Sequence, residues 1–231
     1  MEKMAETVSG SQYQKLHHML SESAWNRGSV RRQLIADANT HFGYSSALVI
    51  DESAFAKKGD MSAGVARQWN GRLGKTDNSQ VGVFAAMARD GVSALVDGEL
   101  YIPEGWFADP ARCREAGIPE GQEFRTKGEM ALAMIHRLRR EGLHFAYTVF
   151  DAGYGHLPWL LRALEDERET FLAEVHSDQA IYLSDPVPAE PDRQSLRGKS
   201  PVRLQPRMAP LTVTDWALAQ PPSRWRRLSV R

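Results

Sequence analysis

Apolar residues recur at helical spacing through the first forty positions and in extended runs after that. In "SQYQKLHHMLSES", Tyr13, Leu16, Met19 and Leu20 share a helical face; in "SVRRQLIADANTHFG", Val30, Leu34, Ile35 and Ala38 do the same. Ser29 fits an N-cap and Gly43 a stop. A strand is predicted from Ala47 to about Asp51, and the Gly- and charge-rich "AKKGDMSAGVARQWNGRLGKTDN" reads as loop. "SQVGVFAAMA" and "VSALVDGELYI" are extended runs joined at Arg89-Asp90-Gly91, and Asp-Gly in that setting predicts a hairpin.

Pro103 to Phe124 reads as an irregular insertion with three prolines. Thr126 and Glu129 have capping-box spacing and open a helix to about Glu141, stopped by Gly142. Met130, Ala133, Met134, Ile135 and Leu138 are its predicted buried positions. "FAYTVFD" reads as a strand buried on both faces, "GHLPWLLRALEDE" as a helix and "TFLAEV" as a strand. This order predicts an α/β fold in which an antiparallel hairpin enters a partly parallel sheet, with the Thr126–Glu141 helix as the crossover. Prolines accumulate after Asp185, so a linker or separate extended module is expected there. The predicted division is 1–44 (helical), 45–185 (α/β core) and 186–231 (Pro/Arg-rich), with no internal repeat.

Composition narrows the class. The 231 residues, 42% hydrophobic and 25% charged, suit one globular domain with some elaboration. No apolar run approaches the ~18 residues of a membrane span, and "MEKMAETVSGSQYQ" lacks the apolar core of a signal peptide. Cys113 stands alone, which excludes an internal disulfide and a cysteine zinc site and makes a reducing cytoplasm the expectation. The formal net charge is zero but uneven: Asp151 to Asp192 carries ten acids and two bases, and Arg193 to Arg231 nine bases and one acid. Such asymmetry suits either a polyanion partner or a solvated, Pro-rich surface segment.

Two predicted strands end in aspartate, "LVID" at Asp51 and "TVFD" at Asp151. If they are parallel neighbours, both carboxylates emerge at the edge where ligands bind in open α/β sheets. Adjacent carboxylates need a divalent cation or a shared proton. Mg²⁺ prefers oxygen ligands, and two such ions about 4 Å apart activate water and stabilise the departing oxygen in phosphodiester cleavage. The alternative is that each Asp merely terminates a strand, Asp151 capping the helix after it. Glu52, next to Asp51 on a strand, points to the opposite face and has no assigned role.

The wording of the motifs separates these readings. "IDESAFAKKG", "GVARQWNGRLGKTDNSQVGVFAA", "LYIPEGWFADPARCREAGIP", "FRTKGEMALAMI" and "VFDAGYG" resemble the DDE transposases of bacterial insertion sequences, the IS701 and IS4-like group. So do the helical lead-in and the late "DPVPAEPDRQSLRGKSPVRL" to "WRRLSVR", so the likeness covers nearly the whole chain. The resemblance implies an RNase H-like catalytic core, a Mg²⁺ or Mn²⁺ cofactor, and double-stranded DNA as transposon ends and target. It further implies a homodimer in the active assembly, a bacterial cytoplasm and no membrane. The family's first and second catalytic acids fall on Asp51 and Asp151, which become the expected metal ligands. Lys57, Lys58, Arg67 and Lys75 suit contact with the DNA backbone, or a solvated loop.

The family's third acid, a Glu on a helix beyond the second Asp, has no match here, so the chain reads as a fragment truncated at both ends. Activity of the chain alone is expected to be weak or absent. Glu174 is a nearby carboxylate with an ordinary sheet position. His17-His18 diverge on a helix, His156 suits a helix start, and Cys113 lacks a base partner. Trp69, Trp106 and Trp159 could stack on bases, although loop packing suits the first two and a core position the third. The leading expectation is metal-dependent hydrolysis and strand transfer. The alternatives are a catalytically silent DNA- or partner-binding remnant and a two-metal hydrolase of small phosphate esters.

Overall fold

The computed structural model describes residues 6–7, 12–190 and 203–226. Helices α1 (Tyr13–Ser21) and α2 (Arg27–His41) open the described chain, followed by strands β1 (Ala47–Ala56), β2 (Ala66–Asn70), β3 (Lys75–Arg89) and β4 (Val92–Leu100). A 3₁₀ turn (Glu104–Trp106) and α3 (Pro110–Glu115) precede α4 (Lys127–Arg140) and β5 (Tyr147–Phe150). Then come α5 (Ala152–Gly155), α6 (Pro158–Asp166) and β6 (Phe171–Ala173). The main sheet runs β2-β3-β1-β5-β6, with β4 also paired to β3. β1 is antiparallel to β3 and parallel to β5, and β5 is parallel to β6. The sheet is therefore mixed, with the Thr126–Glu141 helix as crossover, as the element order predicts.

The strand pairings correct several sequence expectations. β1 does not stop at Asp51. It continues to Ala56 because "DESAFA" pairs residue for residue with Ser79–Phe84 of β3. Part of the predicted loop after it is likewise paired: Ala66–Asn70 forms β2 against Lys75–Ser79. Glycine and charge obscure the strand pattern there, and the ladder to β3 supplies the order that local propensity does not. The β3–β4 turn is as predicted, with Asp90 and Gly91 both left-handed (φ 51° and 77°), the conformation that suits a two-residue hairpin. β5 is not buried on both faces: Thr148 and Phe150 are buried while Tyr147 is exposed.

One face of the sheet carries the main core. Leu48 and Ile50 of β1, Val83, Ala85 and Met87 of β3, and Phe150 of β5 pack against α2, α4 and α6. α4 contributes Met130, Ala131, Met134, Ile135 and Leu138; Ala131 is buried where Ala133 was expected. Its capping box forms as predicted, Glu129 N–H donating to Thr126 Oγ1 at 3.2 Å and Thr126 N–H to Glu129 Oε2 at 2.7 Å. α2 starts earlier than expected, with Asn26 as its cap accepting from the Ser29 amide at 2.9 Å. Only Ile35 and Ala38 of its predicted face are buried, and Val30 and Leu34 remain exposed. Arg31 clamps α2 to α4 through a bidentate bond to Glu141 at 2.7 and 2.5 Å. Arg137 of α4 bonds buried Asp97 of β4 at 2.7 Å, and Arg125 and Arg137 both engage Glu99. These pairs fix how α4 lies on the sheet.

The Pro103–Phe124 insertion has its own small core of Val65, Ile102, Trp106 and Ile118, with Trp106 Nε1–H donating to Val65 O at 2.9 Å. Beyond β6, short strands pair as β7 (Ala180–Ile181) with β10 (Leu211–Thr212) and β8 (Pro188–Ala189) with β9 (Gln205–Pro206), and α7 (Val213–Leu218) follows. The Pro/Arg-rich region is thus partly regular. Arg193, Arg197, Lys199, Arg227 and Arg231 of the basic segment lie outside the described residues. Among the described residues, no helix is long and apolar enough to cross a membrane.

Candidate active site

The two aspartates meet through strand register. Ile50 of β1 is the parallel partner of Phe150 of β5, so Asp51 and Asp151 are the next residues on neighbouring strands. Phe150 is in turn the partner of Ala173 on β6, which places the Glu174 backbone at the same edge. Among the described residues, however, no group of three His, Cys, Asp or Glu side chains is arranged to hold a metal ion. The edge brings together two acids.

Asp51 Oδ1 accepts the Glu52 amide at 2.6 Å. Its carboxyl is held above the usual carboxylate range, chiefly by partial removal from solvent and then by the negative charges of Asp151 and Glu52, with the Glu52 amide opposing. Asp151 caps α5, Oδ1 accepting the Gly153 amide at 2.9 Å. Its capping role and its place beside Asp51 are therefore both present. Gly155 closes the turn against β6, where a Cβ would stand 1.8 Å from the Glu174 carbonyl oxygen. "DAGYG" is thus a tight strand-to-helix turn that holds Asp151 at the edge.

Glu52 faces away from Asp51, as strand alternation predicts, and Lys127 at the start of α4 bonds it at 2.6 Å. It lines a cavity of about 330 Å³ together with Tyr101, Lys127, Asp151 and Tyr154. Tyr154 is buried, and its hydroxyl is held far above its ordinary range by burial and then by Glu52, Asp151 and Asp51. Lys127 and Tyr154 escaped the sequence reading. Their signal lay in the capping-box lysine and in a tyrosine between two glycines of "AGYG". Asp51 also lines a cavity of about 400 Å³ with Val49, Glu52, Phe55, Phe84 and Leu95.

The expected DNA contacts lie on the ribbon rather than at the acid edge. Lys57 N–H donates to Asn78 O at 2.9 Å, and Arg67 is the strand partner of Asn78. Since Asp51 is opposite Phe84, these cations lie about 20 Å along β3 from it at strand rise. Lys58 and Arg67 are exposed, while Lys75 bonds Asp77 at 3.0 Å and holds that carboxyl below its usual range. Trp106 is buried, but Trp69 and Trp159 are 59% and 42% exposed, so neither the loop-packing role expected for Trp69 nor the core position expected for Trp159 is met. Cys113 Sγ contacts Trp106 O at 3.2 Å without a base. His156 Nδ1 lies 3.0 Å from Ala152 O at the end of α5, and His17 and His18 are exposed on α1.

With this geometry established, comparison with known proteins points to a family and a relative. A family model described as "DDE superfamily endonuclease" matches residues 1–231. A protein of Microchaete diplosiphon described as "Probable transposase for insertion sequence element IS701" is 33% identical over 156 residues, 66% of this chain. The match spans 38% of that relative's length.

Proposed function

This chain belongs to the DDE superfamily endonucleases, and on that premise we propose that Asp51 and Asp151 hold a divalent cation for phosphodiester cleavage in DNA transposition. The mixed α/β sheet accords with the RNase H-like fold of that superfamily, whose endonucleases depend on a divalent metal. The observation that carries the reading is the Ile50–Phe150 register, which sets the two acids side by side. The donor set fits the ion: carboxylate oxygens at adjacent positions of neighbouring strands, one raised chiefly by partial burial and further by its neighbour's charge, suit a hard cation such as Mg²⁺ or Mn²⁺. When bound, that ion supplies an activated water and charge neutralisation at the departing oxygen.

The chain's own residues do the rest. The α5 turn fixes Asp151, and the pairing of β1 between β3 and β5 fixes Asp51. Double-stranded DNA is the proposed substrate, as transposon end and target, and a homodimer the proposed active assembly. Lys57, Lys58, Arg67 and Lys75 are its proposed backbone contacts. Lys57 and Arg67 lie about 20 Å along β3 from the acid edge, about six base steps of duplex lying along the ribbon, and Lys75 lies farther out, at about 30 Å.

The test is a duplex cleavage assay with and without Mg²⁺ or Mn²⁺. The reading expects strand cleavage to require the metal and to be lost in both Asp51→Asn and Asp151→Asn. Metal-independent cleavage that survives both substitutions overturns it. One observation favours a second reading, a chain that binds DNA without cutting it: no third acid joins the pair among the described residues. Salt-sensitive duplex binding with no cleavage in either metal supports that reading.

A further inference from the structure

The cavity beside the acid edge is richer in donors than its acidic surroundings suggest. Lys127 lines it, with Nζ 2.6 Å from Glu52 Oε2 and 5.4 Å from the Tyr101 ring centroid. An ammonium has three donors, so the bond to Glu52 leaves others for a ligand. α4 is 14 residues long, and the amides of Lys127 and Gly128 in its first turn have no intrahelical acceptor. Its dipole adds positive potential at the same end. The acceptors are already engaged, Glu52 by Lys127 and Asp151 by the Gly153 amide.

Tyr154 completes the set. The residue is 3% exposed and lines the cavity, and its buried hydroxyl has no hydrogen-bond partner. A buried donor left unpaired is costly and rare in a folded protein. The packing around it is also specific: a Cβ at Gly128 would lie 2.8 Å from both Leu157 and Trp159, so glycine lets these side chains close on the first turn of α4.

We propose that this cavity is a phosphate subsite, taking a non-bridging oxygen of the DNA backbone phosphate adjacent to the bond held at the acid edge. Its donors are the Lys127 ammonium, the first-turn amides of α4 and the Tyr154 hydroxyl. Glu52 has a positioning role, holding Lys127 within the cavity. The inference rests on the reading of Asp51 and Asp151 as a phosphodiester-cleaving edge, and it assigns the neighbouring phosphate to residues outside that pair.

The test measures binding of a short fluorescein-labelled DNA duplex by anisotropy across a salt series, in Ca²⁺, for wild type, Tyr154→Phe and Lys127→Gln. Thermal melting is recorded for each protein. Tyr154→Phe is expected to bind about tenfold more weakly, with its melting temperature unchanged or raised and its salt slope unaltered. Lys127→Gln is expected to lower the slope of log K against log salt by about one. Wild-type affinity in Tyr154→Phe, or a wild-type slope in Lys127→Gln, overturns the subsite while leaving the acid-edge reading standing. A wild-type chain that binds no duplex overturns both.

Discussion

Ile50 and Phe150 are partners in a parallel ladder, and that one pairing sets Asp51 beside Asp151 although a hundred residues separate them in sequence. The proximity has a cost that pH reveals. Asp51 is raised by partial burial first and by the Asp151 charge as well. Its folded form therefore holds a proton more tightly than its unfolded form. The stability this gives is present below the unfolded value of 3.8 and is lost as pH rises through the raised folded value.

Asp51→Asn removes that loss. At neutral pH and without metal, the variant is expected to melt higher than wild type, and at pH 3 the two should coincide. Screening at this exposed carboxyl keeps the gain small, on the order of 1 °C. A lower melting temperature at neutral pH would contradict this account of partial burial and neighbouring charge.

Gly155 carries a steric prediction. With a Cβ 1.8 Å from the Glu174 carbonyl oxygen, Gly155→Ala must push β6 away from the α5 turn. A loss of about 3 kcal/mol or more is expected in denaturant unfolding. Gly117→Ala, where a Cβ meets nothing within 4 Å but φ is 74°, tests backbone strain without the clash. It should cost about 1 kcal/mol. Equal losses in the two variants would show that the clash is relieved by local movement.

The Arg31–Glu141 clamp predicts an acid-sensitive attachment of α2. Arg31 is the main cause of the depressed Glu141 carboxyl, so the clamp's contribution is complete above the unfolded value of 4.5 and is lost as pH falls through the lower folded value. Glu141→Gln is expected to cost about 1 kcal/mol at pH 7. The gap to wild type should close on acidification through the carboxylate range. Proteolysis between α2 and β1 would report the same release, and a pH-independent gap would exclude the ionic origin.

Sequence pattern carried most of the α/β core because local and global signals agree there. The Thr126–Glu129 box, the Asp90-Gly91 turn and the helical spacing of α4 each predict what forms. β2 and the second half of β1 were hidden because "DESAFA" and "ARQWN" order themselves only against β3. The adjacency of the acids was legible from strand direction and the crossover, although Asp51 lies within β1 rather than at its end. The cavity was not, because Lys127, Tyr154 and Glu52 come from three elements whose approach depends on how α4 is clamped to the sheet. Strand alternation separated Glu52 from Asp51 but could not supply its partner.

The most direct test of the central claim is Mn²⁺ binding, followed by loss of the free-ion electron paramagnetic resonance signal. It reads the site without requiring turnover. The account predicts that Asp51→Asn and Asp151→Asn each weaken Mn²⁺ binding by about tenfold or more, while Asp166→Asn on α6 binds as wild type does. Unchanged Mn²⁺ affinity in both edge variants would contradict it.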